Sequence, residues 1–461
     1  MTATELELQL AEEGTKTLSM QQCILDNLHP LGHYRQDEDQ KVYVSISTKF
    51  LATFKTLLSR STTALSSENM QFYKPPADGS ARDNLMTRWG GMLFRLMACE
   101  PFPSCILEFS EDAIITVHLA IVNEMNLFPK QVISPTTDLK VDVSVVSARQ
   151  MTITSKISVH EAKVDSQLLD FYYPGLSFNG FHGDNRGAAS FYLKTNEFVD
   201  CQEEFYLHIS LQLSADLLAV PLLIGPFSLS ESVDEQPMST LRPLYISAAE
   251  FVSIKESVSD LPGKIWDSAF FVSTAVFEYS RDKDSFNILD LSTGNGAVGL
   301  STLIRIQTIF PNKETRLTLT DLEEALPLIT ENVKDLKNQY SIADVINIQE
   351  YIWGRSVQKL IQAPFDVIVA CDLIYENEFF SDLVNSLDDL CTPGKTRIFI
   401  GYKNRGLTIE EKNNLWDSLR AKFTVERISV KSNVAPGHDN IINDDVGVEV
   451  WQLYKNFISQ V

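Results

Sequence analysis

FNILDLSTGNGAVGL, residues 286–300, decides the fold. FNILDL is an apolar run of strand length. The next residues place Gly294, Gly296 and Gly299 in GxGxxG register, and GAVGLSTLIRIQTIF continues with helical spacing. Such a glycine pattern is a weak signal alone. Following a strand and opening a helix, it gives the geometry in which backbone approaches a ligand at a topological switch point.

Two nucleoside cofactors compete for that loop. A nicotinamide dinucleotide carries a pyrophosphate, which calls for a glycine tight against the strand end and a helix N-terminus aimed at phosphate. Here the strand instead ends in Asp290, with Leu291, Ser292 and Thr293 before the first glycine. A carboxylate there repels pyrophosphate, but it can bind the ammonium of a methionine moiety directly or through water. Asp321 closes the next strand, LTLTDL, near the roughly 20-residue offset at which an acid takes the ribose hydroxyls. Both cofactors have a ribose, and Asp321 also suits the N-cap of the following helix.

Outward from the loop, strand and helix alternate. TRLTLTDL, DVINIQE, FDVIVACDLIY and KTRIFIGYK read as strands; EALPLITENVKDLKNQY, EFFSDLVNSLDDLC and EEKNNLWDSLRAKF read as helices. FTVERISV and GVEVWQLYK then follow one another directly. Five αβ repeats ending in two adjacent strands predict a parallel sheet of seven strands with an antiparallel end, the Rossmann-like architecture of SAM-dependent methyltransferases.

Toward the N-terminus the rhythm changes. SISTKFLATFKTLLSRSTTALSS sets Phe50, Leu51, Phe54, Leu57 and Leu58 at helical spacing, whereas residues 138–165 alternate through Val141, Val143 and Val145, as half-buried strands do. FYLHISLQL from Phe205 is another strand. Residues 1–225 therefore read as an accessory α+β or β-rich domain. Residues 226–262, rich in Ser, Pro and acids, read as a linker, and residues 263–461 as the domain carrying the glycine loop.

The chain of 461 residues carries 39 Lys+Arg against 61 Asp+Glu, a formal charge of −22. That balance disfavours nucleic acid and anionic membranes and favours basic protein partners. Cys23, Cys99, Cys105, Cys201, Cys371 and Cys391 form no CxxC pair and no metal-ligand spacing with the seven histidines, as in reduced thiols of an intracellular protein. The acidic start MTATELELQLAEEG lacks the basic, then apolar, pattern of an export signal. DLLAVPLLIGPF, from Asp216, is about half the ~20 residues of a membrane helix and holds two prolines. A cytoplasmic location, with the nucleus as a second site, is the expectation; metal is not expected, and the oligomeric state stays open.

Several further motifs carry a resemblance. From about Gly263 onward the chain resembles the seven-strand protein-lysine methyltransferases grouped as methyltransferase family 16. GKIWDSA is similar to that family's G-x-x-W-x-S/A segment, and LDLSTGNGAVGL to its E-L-G-A-G-T-G-L-V-G loop. TDLEEALPLITENV matches T-D-L-x-E-A-L-P-L, IWG matches L-x-W-G, CDLIY matches D/E-x-x-Y/F, and GYKNR, with Tyr402 and Arg405, matches Y-x-x-R.

The resemblance implies S-adenosyl-L-methionine (SAM) as cofactor. It implies that Trp266 and Trp353 help enclose it, beside Asp290, Ser292, Gly294, Gly296, Asp321 and Cys371, and that Asp372 and Tyr375 stand at the methyl-transfer site. Tyr402 is a further candidate wall. Ser292 occupies the family's first glycine position. No NPPY-type turn follows the fourth strand, which disfavours amide and nucleobase acceptors; His438 is a loop residue. The leading expectation is lysine methylation of a non-histone protein. A non-catalytic scaffold, motivated by Ser292, and an NAD(P)-dependent oxidoreductase, motivated by GNGAVG, are the competing readings.

Overall fold

The computed structural model describes residues 93–100, 102–124, 138–162, 179–182, 186–200, 202–211, 218–228, 239–247, 250–257, 261–340, 342, 345–355, 364–404, 407–432 and 441–456, with three short strands nearer the N-terminus. The helix expected around Phe50–Leu58 lies outside the described residues, as do Arg405, His438, Cys23 and Cys201.

The C-terminal sheet has seven strands: β1 (Ser285–Leu291), β2 (Glu314–Asp321), β3 (Ile346–Glu350), β4 (Val367–Cys371), β5 (Arg397–Lys403), β6 (Thr424–Ile428) and β7 (Val448–Tyr454). They lie in the order β3-β2-β1-β4-β5-β7-β6. Pairs from β3 to β5 are parallel, while β7 is antiparallel to both β5 and β6. This is the sheet that the alternation predicts. The order reverses between β1 and β4, so the loops leaving their carboxyl ends diverge and open a crevice.

Helices α1 (Ala269–Ser280), α2 (Ala297–Ile309) and α3 (Leu326–Gln339) cover one face, with Phe270, Val276, Leu303 and Ile329 in its core. Helices α4 (Phe380–Leu390) and α5 (Ile409–Arg420) cover the other, with Leu383, Leu387, Leu415 and Trp416. α1 was not legible as a helix: it is buried almost all round, so AFFVSTAVFEYS shows no polar stripe.

Residues 93–255 build a second sheet of twelve strands, mostly antiparallel. Its members include Leu93–Cys99, Ile115–Val122, Asp138–Ser147, Arg186–Thr195 and Phe205–Leu211. DLLAVPLLIGPF contributes Leu218–Val220 and Leu222–Phe227, and no helix among the described residues is long and apolar enough to cross a membrane.

The expected linker is corrected by Ser239–Tyr245 and Phe251–Lys255, which pair with each other, the first also pairing with Leu222–Phe227. Ser, Pro and acidic residues around them mask two short buried runs. Leu244, Val252 and Ile254 join Phe270, Val298 and Ile329 in one apolar cluster, and Phe251–Lys255 packs on α2 and α3. The N-terminal sheet is thus the outer layer over α1–α3.

Candidate active site

The glycine loop is shaped by backbone that side chains resist. Gly294 and Gly296 have φ of 64° and 87°, and Gly296 caps α2. A Cβ on Gly294 would meet the Pro262 carbonyl oxygen at 2.7 Å. Ser292, at the family's glycine position, has φ 52°, in the left-handed region that costs a non-glycine residue roughly 1–2 kcal/mol. Its hydroxyl accepts a hydrogen bond from Trp353 Nε1 at 2.9 Å, so the side chain that glycine lacks ties the loop to the segment after β3.

Asp290 is turned inward. It is 2% exposed, and its Oδ2 accepts from Thr293 Oγ1 (2.6 Å) and the Gly299 amide (2.8 Å). Desolvation pushes its pKa up to about 7, against the pull of those two donors. Through these bonds the carboxylate holds the loop against the start of α2. Asp321, at the end of β2, receives the Gly294 amide (2.7 Å) and the Leu322 amide (2.8 Å); burial raises its pKa. It does not cap α3, whose N-cap is Ala325.

The other half of the crevice comes from β4 and α1. Asp372 has φ 56°, and its amide donates to the Gly401 carbonyl at 2.7 Å. Its Oδ2 accepts from the Ser268 amide at 3.2 Å and from the Ser268 hydroxyl, which also lies 2.8 Å from Cys371 Sγ. Trp266, half-buried, precedes this serine by two residues, and its carbonyl accepts the Ala269 amide. Tyr375 is half exposed. Its hydroxyl pKa is raised by burial, then by the charges of Glu376 and Asp321. All ten expected site residues therefore stand at or next to the carboxyl ends of β1–β4 or at the start of α1.

Tyr402 does not join them. Along β5 successive side chains alternate, and a Cβ on Gly401 would meet Val272 and Ser268 of the α1 side. Tyr402 therefore faces the opposite layer, fully buried 5.9 Å from the Trp416 ring.

Sequence reasoning missed the residues that hold the crevice together. Buried Asn332 of α3 accepts from the Lys255 amide (2.9 Å) and donates to the Asn295 carbonyl (2.9 Å), joining the N-terminal sheet to the glycine loop. Asp267 is buried among Arg95, Glu124 and Lys403. Desolvation, then Glu124, raises its pKa to about 6. Nearby Lys264 is pushed down to about 8 by desolvation and Arg95. Asp267, Asn295 and Asn332 all lie inside quoted motifs, which was the available signal; Arg95 lies in no motif.

The donor set fits an adenosyl sulfonium cofactor. The loop turns through Ser292, Gly294 and Gly296 at positive φ, Asp321 at the end of the next strand accepts the Gly294 amide, and the Trp353 indole bonds Ser292.

Residues 248–418 match the lysine methyltransferase family. Similar curated proteins include the UPF0665 family protein C23C4.06c of Schizosaccharomyces pombe, 30% identical over 31% of this chain and 42% of that protein. The Protein N-lysine methyltransferase METTL21A of Danio rerio is 24% identical over 43% of this chain and 89% of its own. The Protein-lysine N-methyltransferase EFM2 of Saccharomyces cerevisiae is 22% identical over 50% of this chain and 58% of its own. The chain thus spans less than half of the first and most of the second. The matched segment contains β1, β2, β4 and β5 with the glycine loop, and its likeness to lysine methyltransferases implies SAM as methyl donor.

Proposed function

We propose that this chain is a SAM-dependent protein-lysine N-methyltransferase whose substrate is a non-histone protein with a basic, lysine-bearing surface. The observation that carries the reading is that two sets of residues follow the carboxyl ends of neighbouring parallel strands at the point where the strand order reverses. Ser292, Gly294 and Asp321, at the carboxyl ends of β1 and β2, are assigned to the cofactor, and Asp372 and Tyr375, just past the neighbouring strand β4, to the acceptor.

Bound SAM would supply an electrophilic methyl on a sulfonium, to be taken by the acceptor lone pair with the thioether as leaving group. The protein's part is to hold the two within about 3 Å, out of water. Lysine must arrive neutral, and an aromatic, poorly hydrated cleft favours that form. Trp266, Trp353 and Tyr375 give this cleft its walls, and their π faces also tolerate the sulfonium charge. Asp372, fixed by Ser268, orients the arriving amine and then stabilises the methylammonium until its proton leaves. Glu323 and Glu324, exposed just past Asp321, and exposed Glu378 beyond Tyr375 favour a cationic substrate surface.

Titration calorimetry with SAM, S-adenosylhomocysteine and NAD, followed by transfer of labelled methyl to proteins of a cell lysate and amino-acid analysis of the labelled band, tests the reading. Methyl-lysine is the expected product. Binding of NAD alone would support the oxidoreductase, failure to bind any of the three would support the scaffold, and label on arginine, histidine or nucleic acid would displace lysine as acceptor.

A further inference from the structure

We infer that Arg95, on the N-terminal sheet, is a positioning residue for the methyl-transfer site: with Glu124 it holds Asp267, and through it Ser268, against Asp372. The inference rests on the methyltransferase reading above.

Arg95 belongs to Leu93–Cys99, far from every motif of the C-terminal half, yet it is 2% exposed and reaches into that half. Its Nη2 donates to Asp267 Oδ1 at 3.0 Å, and its Nη1 to Glu256 Oε1 at 3.2 Å. Glu124, at the end of the neighbouring strand, accepts the Asp267 amide at 3.4 Å. Lys403 of β5 takes the remaining oxygen, Asp267 Oδ2, at 2.9 Å. The side chain and the backbone of one residue are thus both gripped by the N-terminal sheet.

The next residue is Ser268, whose amide and hydroxyl both bind the Asp372 carboxylate. Ser268 begins α1 but makes no side-chain cap, because its hydroxyl serves Asp372 instead. Asp267 and Ser268 stand side by side in the turn that enters α1, and their contacts diverge: Asp267 meets Arg95 and Glu124, Ser268 meets Asp372. One clamp therefore faces the N-terminal sheet and the other faces β4, on a single rigid turn. Displacing Asp267 must displace Ser268, and with it the carboxylate at the acceptor side. Buried ion pairs of this kind add little net stability compared with apolar packing, and what they fix is geometry.

The test compares Arg95→Met and Arg95→Lys with Tyr340→Phe in the full chain. Tyr340 Oη donates to the Phe251 carbonyl at 2.9 Å, another contact between the halves that does not touch Asp267. Hydrogen–deuterium exchange of residues 264–272, S-adenosylhomocysteine affinity and kcat are read for each. Arg95→Met is expected to speed exchange in that segment and lower kcat by about tenfold to a hundredfold. Its effect on cofactor affinity should be smaller, Arg95→Lys should recover part of the rate, and Tyr340→Phe should change neither exchange nor kcat. If Arg95→Met gives no folded protein, Arg95→Lys, whose single ammonium cannot span both carboxylates, must show the same pattern in milder form. Equal exchange and equal kcat losses in the Arg95 and Tyr340 variants would overturn the inference. Wild-type protein that transfers no methyl would instead overturn the reading beneath it, with the exchange measurement still reporting the hold of Arg95.

Discussion

Ser292 sets strain against a hydrogen bond, and the two can be separated by substitution. At φ 52° the residue bears roughly 1–2 kcal/mol of left-handed strain. Its bond from Trp353 Nε1 is worth about 0.5–1.5 kcal/mol. Ser292→Ala keeps the strain and loses the bond, so stability should fall by about 1 kcal/mol. Ser292→Gly loses the bond and relieves the strain, but glycine costs roughly 0.5–1 kcal/mol of additional chain entropy. These terms nearly cancel, and the glycine variant should remain within about 1 kcal/mol of the parent.

Calorimetric unfolding of the two variants gives the ranking, and titration with S-adenosylhomocysteine gives the cofactor side. Both should bind more weakly, because both release the indole. A cycle with Trp353→Phe isolates the bond, with an expected coupling of about 1 kcal/mol. An alanine variant as stable as the parent, or additive effects in the cycle, would refute the reasoning. A glycine variant stabilised by more than about 2 kcal/mol would show strain with nothing to offset it.

Asp372→Asn keeps a residue type that tolerates positive φ while removing the charge; homocysteine-cofactor affinity should hold within a few fold while methyl transfer falls by about 10²-fold or more, and unchanged turnover would remove Asp372 from the chemistry. Asp290, raised to about 7 from 3.8, binds a proton in the folded protein that it lacks when unfolded between those values. Its contribution is full below about pH 4 and is lost as pH rises through 7, so Asp290→Asn should gain on the parent by on the order of 1–3 kcal/mol between pH 5 and 8. A constant difference in melting temperature across that range would contradict the assignment. Asn332→Ala strands the Lys255 amide and the Asn295 carbonyl, and denaturant unfolding should show a loss of about 1–3 kcal/mol.

The C-terminal sheet was legible because most of its parallel strands are short apolar runs followed by a helix. The site was legible because its residues sit where those strands end. α1 was hidden by its own burial, since a helix covered by β4 and β5 on one side and by the N-terminal sheet on the other has no polar face to mark its period. The strands at Ser239–Tyr245 and Phe251–Lys255 were hidden by flanking Ser, Pro and acidic residues, and by Arg242 and Glu256, charges that pair with each other inside the fold. Tyr402 was misplaced because a motif gives spacing, whereas the pleat decides which face a strand residue takes. Arg95 could not be found at all from sequence, as its partner Asp267 lies 172 residues further along the chain.

The apolar cluster shared by the two halves has a consequence for how this molecule comes apart. Leu93 and Val220 belong to the same continuous interior as Ile265, Phe271 and Leu300. A C-terminal half severed near Gly263 would bare that interior to water and clump before it could be assayed. Heating the intact chain should likewise melt both halves in one heat-absorption peak.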